Sequence, residues 1–419
     1  MSIRYLAGAE KNLTDSNHRA KCAKRVLEKK YSLSYTFQTS GGFMKTTYRI
    51  GTLVLAALIT LPVLATTEQG EEAYREHRYE KAYLLLSDEA EKGDAKAQYL
   101  IGKMYYNAEG VAFNPEKTEK YLLASANQGN TDAQTLLANF YWYQNTPETL
   151  KKAIEWYEKA ANAGSSDAMY ALGYMYDRGE GTTKNYETAI SWYKKAADKG
   201  NPDAFLAIGY LYDTGTGVTQ NVPEAIKWYL KASELGNMNA NYNLGLIYQY
   251  GEGVPKDREK AQLYLQKAAD AGHAKAQLEL GFLYDTGTNG KSDLEKAAFW
   301  YQKSAEQGNA NAQYNIADMY LYGDGVNKNI EQSIKWFLEA AKQGLAKAQN
   351  KLGIFNRDGI GMNANNIEAY AWFSAAVTNG FSDAQKSVDE LEKTLTPDQL
   401  VQAKELAKKY STDYAAQKK

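Results

Sequence analysis

Residues 166–200, SDAMYALGYMYDRGEGTTKNYETAISWYKKAADKG, contain two helical patterns separated by a glycine-rich break. Ala168, Leu172 and Tyr176 recur every fourth residue and define one face of a first helix. Gly179 and Gly181 interrupt it. Ala189, Trp192, Tyr193, Ala196 and Ala197 form the apolar face of a second helix, and Gly200 stands where a helix-ending glycine commonly falls. The stretch predicts a helix–loop–helix hairpin in which Ala168 and Gly173 allow close helix approach and Trp192 fills the gap between units. One hairpin cannot cover its own apolar face, so neighbours have to stack.

Three ladders carry this pattern along the chain. Stop glycines fall at Gly93, Gly129, Gly164, Gly200, Gly236, Gly272, Gly308, Gly344 and Gly380. A small residue inside the first helix recurs as Gly102, Ala138, Gly173, Gly209, Gly245, Gly281, Ala317 and Gly353. An aromatic in the second helix recurs as Tyr121, Trp156, Trp192, Trp228, Tyr264, Trp300, Trp336 and Trp372. All three keep one register, with steps of 36 residues and a single step of 35. The prediction is an all-α array of about eight 36-residue units over 94–380, preceded by an opening hairpin at 66–93 (Ala73, Tyr74, Tyr79, Ala82). After Gly380 the period ends. Ala384, Val388, Leu391 and Leu395 mark one amphipathic helix, and Leu400, Ala403, Leu406 and Ala407 mark another behind Thr396-Pro397. Residues 381–419 therefore read as capping helices, with Ser411 to Lys419 expected to fray.

The motif Ala-x-x-x-Leu-Gly-x-x-Tyr-x-x-Gly-x-Gly, followed by Ala-x-x-Trp-Tyr-x-x-Ala-Ala-x-x-Gly, resembles the Sel-1-like repeat family, relatives of the tetratricopeptide repeats. Good copies occur at 168–200, 204–236, 240–272 and 312–344. The resemblance implies a right-handed α/α superhelical solenoid. It also implies a protein-interaction scaffold, often exported in bacteria. The unit at 130–164 departs from the motif, with Tyr143-Gln144-Asn145-Thr146-Pro147 in place of the Gly-x-Gly loop. Paired cysteines found in some members, one group of which is linked to β-lactam binding, do not occur here, so that analogy does not transfer.

Charge divides the chain. Residues 1–43 carry eight Lys/Arg and three Asp/Glu, and Lys45 and Arg49 follow, which leaves a net −8 from residue 66 onward out of an overall −1. An acidic body does not favour nucleic acid. Lys45 and Arg49 precede the uncharged run Ile50–Leu64, and Val63-Leu64-Ala65 offers small residues for cleavage. Residues 44–65 read as a signal peptide, with 1–43 a disordered upstream extension from a start assigned too early and the mature chain starting near Thr66. The single cysteine, Cys22, precedes Met44, so the mature chain would have none, in keeping with an oxidising compartment.

With the ladder glycine as position zero, positions −5, −1 and +3 are core, and positions −3, +1 and +4 form a second stripe expected to line the concave side. The stripe begins with Tyr99, Lys103, Tyr106, Thr135, Asn139 and Trp142. Its aromatic and acidic middle is the candidate partner groove: Tyr170, Tyr174, Asp177, Tyr210, Asp213, Tyr242, Gln249, Phe282, Asp285, Tyr314 and Asp318. Tyrosine suits an interface that is wet when free, and acids beside it suit a basic or amphipathic protein or peptide. Downstream of Met44 only His77 and His273 remain, and they are far apart, so no metal cluster, catalytic site or cofactor is expected. The function expected is an exported interaction scaffold of the bacterial cell envelope, periplasmic or secreted, and not an enzyme. Two alternatives stand beside it: a cell-envelope hydrolase of peptidoglycan or β-lactam, and an adaptor anchored in the inner membrane by an uncleaved segment 50–64.

Overall fold

The computed structural model describes residues 66–287 and 291–416. Among these are twenty α-helices, one 3-10 turn (Ser382–Ala384) and no strand, arranged as an α/α solenoid. They fall into two compact units, residues 66–219 and residues 220–416. The first holds the pairs Thr67–Arg75 with Tyr79–Glu91, Ala95–Asn107 with Pro115–Asn127, Thr131–Gln144 with Pro147–Asn162, and Ser166–Arg178 with Tyr186–Asp198, then Pro202–Thr214. The second starts with Val222–Glu234. It continues through Met238–Tyr250 with Arg258–Asp270, Ala274–Thr286 with Leu294–Glu306, Ala310–Tyr322 with Ile330–Lys342, and Ala346–Asp358 with Asn366–Thr378. Helices Gln385–Thr394 and Pro397–Asp413 close it. The expectations for 1–43 and 44–65, and for Cys22, lie outside the described residues.

Local chemistry starts and stops these helices. Ser165 Oγ accepts the Ala168 N–H at 3.2 Å, and Asn185 Oδ1 accepts that of Thr188 at 3.0 Å. Each such cap stabilises its helix by about 1 kcal/mol. His273, placed in an inter-unit turn by the sequence, is itself a cap: its Nδ1 accepts the Ala276 N–H at 3.1 Å, and its ring stacks on Tyr242 at 4.5 Å. Gly179 ends a first helix and Gly200 follows a second, both at positive φ.

The small-residue ladder has one spatial cause. A Cβ on Gly173 would lie 2.5 Å from Cδ1 of Tyr193, and one on Gly281 would lie 2.6 Å from Cδ1 of Tyr301. The residue after the aromatic ladder thus fits against the glycine, and Tyr157, Tyr193, Tyr301, Phe337 and Phe373 occupy that place fully buried. This notch lies inside one hairpin and is distinct from the gap between units assigned to Trp192. That ring is only partly buried and lies under Lys195, whose Nζ is 3.8 Å from its centroid. The periodicity put both residues on one apolar face; the glycine notch selects the second of them. The hydrophobic core runs from unit to unit. One cluster joins Leu246 of a first helix, Leu265 of its partner and Leu280 of the next unit.

The Tyr193 hydroxyl is buried with no hydrogen-bond partner. An unpartnered buried hydroxyl is destabilising, and Phe337 and Phe373 stand at the equivalent positions. Tyr193→Phe should therefore be neutral or stabilising, by up to about 2 kcal/mol in chemical denaturation; a loss of stability would show an interaction that the packing does not contain.

The C-terminal residues depart from the expected fraying. Ser411–Asp413 belong to the last helix. Tyr414 stacks on Trp372 at 5.5 Å with an interplanar angle of 10°, and Tyr410 lies 4.4 Å from the same ring. Tyr410 Oη also donates to Glu368 at 2.7 Å. Two tyrosines on one tryptophan hold a terminus that lacks any repeat signature.

Candidate functional site

In residues 66–219 the first helices of successive units enclose a pocket of about 280 Å³. Its walls include six aromatic rings, Tyr106, Trp142, Tyr143, Tyr157, Tyr170 and Tyr174, together with Asp167, Asn201 and Asp203. Trp142 and Tyr174 meet edge to face at 6.1 Å, and Trp142 Nε1 donates to Glu180 at 2.7 Å. Tyr157 Oη donates to Asn139 Oδ1 at 2.5 Å, and Asn201 Nδ2 donates to Asp167 Oδ1 at 3.0 Å. Trp142 and Tyr157 are thus fixed by hydrogen bonds at their polar tips while lining the cavity. Burial pushes the Tyr157 and Tyr170 phenols well above their usual range, Asp203 adding to the effect at Tyr170. Both remain neutral donors at physiological pH. Aromatic faces with carboxylates at the rim attract a cation.

The stripe positions do not behave alike. Tyr170 and Tyr174 line the pocket together with Tyr106, Thr135, Asn139 and Trp142 of the same stripe. Asp177 and Asp213 are only 6% and 1% exposed, so they present almost no surface. The +4 acid lies toward the second helix of its own hairpin, as the exposed Asp285 shows by accepting the Tyr301 hydroxyl at 3.2 Å. Tyr210 is half-buried outside the pocket lining.

In residues 220–416, Tyr242 is buried against His273, and Gln249 Nε2 donates to Glu279 at 3.0 Å. Tyr242 lines a second cavity of about 960 Å³, whereas Gln249 does not. Phe282 is 46% exposed and lines neither cavity. The next unit's lysines cover the last two members: Lys347 Nζ lies 4.0 Å over the Tyr314 ring, and Lys351 pairs with Asp318 at 3.2 Å.

Asp167, Asn201 and Asp203 were not among the candidates. The signal of the two acids is present at position −6, which reads Lys96, Asp132, Asp167 and Asp203 in the first unit and Asn239, Lys275, Asn311 and Lys347 in the second. The first turn of the first helix is acidic in three successive repeats around the pocket and neutral or basic in the others.

Burial raises the Asp177 carboxyl above its ordinary range, opposed by Arg178 and Lys184. The folded state therefore holds this proton more tightly than the unfolded state. The contribution to stability falls as pH rises through the unfolded and then the folded pKa. Asp177→Asn should stabilise residues 66–219 at pH 7, and the gain should vanish as pH falls below the carboxylate range. Melting curves at both pH values check this; a variant less stable at pH 7 would contradict the assigned cause.

Among the described residues no group of three or more His, Cys, Asp or Glu could hold a metal ion, and no helix is long and apolar enough to cross a membrane. The Sel1 repeat model matches residues 95–130, 131–165, 166–201, 203–237, 239–273, 274–309, 310–345 and 346–381. The chain belongs to the Sel1 repeat family. Sel1-repeat proteins are generally non-enzymatic scaffolds that bind protein partners.

A solved Sel1 repeat protein from Oxalobacter formigenes is 30% identical, covering 68% of this chain and 86% of its own, with a TM-score of 0.56. A protective antigen present in uropathogenic Escherichia coli strains is also 30% identical, over 83% of this chain and 85% of its own, with a TM-score of 0.48. The ERAD-associated E3 ubiquitin-protein ligase component HRD3A of Arabidopsis thaliana is 29% identical over 123 residues, 26% of this chain. An uncharacterized protein of Neisseria meningitidis is 29% identical over 107 residues, also 26% of this chain. Those two matches span 18% and 22% of the relatives' own lengths.

Proposed function

We propose that this Sel1 repeat protein is an exported interaction scaffold of the bacterial cell envelope that takes a basic side chain of a protein partner into the aromatic pocket of residues 106–203. The single observation that carries the binding reading is the meeting of six rings with Asp167 and Asp203 around one cavity. A lysine or arginine side chain suits it in size, and ring faces with two carboxylates suit its charge. Export rests on the sequence of residues 44–65, with its short basic start, uncharged run and small residues at the end. Periplasmic or secreted placement follows from that reading.

Photo-crosslinking in intact cells tests the binding site. A photoreactive residue in place of Tyr174 should give a discrete protein adduct, and one in place of the exposed Lys194 on the second-helix side should not. Equal adducts from both positions, or none from Tyr174, would overturn the assignment. N-terminal sequencing of the recovered chain tests export separately: a mature start near Thr66 is expected, and a start before Met44 would refute it.

A further inference from the structure

The C-terminal residues Tyr414–Ala416 lie on a ladder of side-chain amides. Gln349 Nε2 and Asn379 Nδ2 both donate to the Tyr414 carbonyl, at 3.0 and 2.9 Å, and Asn379 Oδ1 accepts the Ala416 N–H at 2.8 Å. Asn379 Nδ2 also donates to Gln349 Oε1 at 3.0 Å, and Gln349 Nε2 to the Ala341 carbonyl at 3.0 Å. Each amide therefore spends one hydrogen on the ladder and the other on the peptide. Side-chain amides carry two such hydrogens. Backbone also passes directly over Gly344, where a Cβ would come within 2.4 Å of the Ala416 Cα.

The same rung recurs twice more within residues 220–416, and once in residues 66–219, where Gln128 Nε2 donates to Gln98 Oε1 and also to the Gly93 carbonyl. Gln343 Nε2 donates to Gln313 Oε1 at 2.8 Å, and Gln313 Nε2 to the Ala305 carbonyl at 3.2 Å. Gln307 Nε2 donates to Gln277 Oε1 at 2.7 Å, and Gln277 Nε2 to the Ala269 carbonyl at 3.1 Å. On the Gln343 and Gln307 rungs the second hydrogens make no protein hydrogen bond. Gly308 leaves open the space that the tail fills at Gly344. The 960 Å³ cavity connects the rungs, running from Ala416 past Gly344 and Gly308 to Glu279 and Glu252, with Lys275 on the same wall. Equivalent rungs are about 8–10 Å apart if they follow neighbouring helices, a distance that about three residues of extended chain span.

We propose that this cavity is a second binding site, for an extended peptide whose main chain is read by the glutamine rungs, and that the chain's own tail occupies the last rung in cis. The peptide carries small residues where it crosses the inter-unit glycines, as Ala415 and Ala416 do, and a basic residue opposite Glu279 and Glu252. A tail tethered beside its site acts at millimolar effective concentration, so it competes with any peptide arriving from outside. The site lies wholly within residues 220–416 and does not depend on the aromatic pocket.

The probe is a fluorescent peptide Tyr-Ala-Ala-Gln-Lys-Lys, the sequence of residues 414–419. It should bind a chain ending at Asp413 at least tenfold more tightly than the intact chain. Gln343→Ala, at a residue whose hydrogen bond goes to Gln313 and not to the tail, should weaken that binding several-fold, as should Glu279→Gln. Failure of the shortened chain to bind while its melting transition matches that of the intact protein would overturn the proposal, and so would indifference to Gln343→Ala. If shortening destabilises the fold, the intact chain decides: deuterium exchange at the Ala416 amide should be slow and should accelerate with millimolar unlabelled peptide, and no acceleration would refute the site.

Discussion

Phe337→Ala should destabilise residues 220–416 by about 3–5 kcal/mol, the usual range for truncating a fully buried phenylalanine. Phe337 is 0% exposed and meets Tyr314 at 5.3 Å and Phe355 at 5.6 Å, both edge to face. It sits where three helices share a cluster with Ala317, Ala341 and Leu352. The void cannot be filled by a shift of one helix, because each neighbour is itself held by the next unit. In a repeat array the loss is felt at interfaces, so the effect should be a lower and broader unfolding transition. Trp192→Ala should be much milder, roughly 1–2 kcal/mol, because that ring is partly exposed and shielded by Lys195. Chemical denaturation of both variants checks the ranking. A Trp192 effect equal to that of Phe337 would contradict the ranking.

That ranking shows what the sequence made legible. The unit length, the two helices and their breaks follow from glycine spacing, because positive φ at a helix end is a strong local requirement. Which of two adjacent aromatics faces the notch at Gly173 does not, since Trp192 and Tyr193 differ by one helical step and both fit an apolar stripe. The same limit separates Asp177 from Tyr174. A three-residue step carries the acid around toward its own hairpin, while the tyrosine stays at the cavity. Asp167 and Asp203 escaped notice because first-turn acids are expected for helix dipoles alone, and only the enclosed pocket gives them a second part. The tail from Tyr414 had no period to betray it; its order comes from Trp372, Gln349 and Asn379 on other units.

Trp142→Ala combined with Tyr174→Ala should reduce partner capture at least tenfold while leaving the fold in place. Both rings line the pocket and both are only partly buried, so their removal opens the cavity without emptying the core. Aromatic anchors at the centre of an interface typically contribute 2 kcal/mol or more each, which corresponds to about 30-fold in affinity. Asp203→Asn should give a smaller loss that is masked at high salt, as expected of a rim charge acting at longer range. A stable double variant that captures the partner normally would remove the pocket from the account.

The most direct test is the affinity of the partner segment recovered by crosslinking from position 174, measured by calorimetry against the native chain and against Trp142→Ala. The pocket reading predicts binding at least tenfold weaker for Trp142→Ala, with melting transitions that nearly coincide. Equal affinities for the two chains would contradict it.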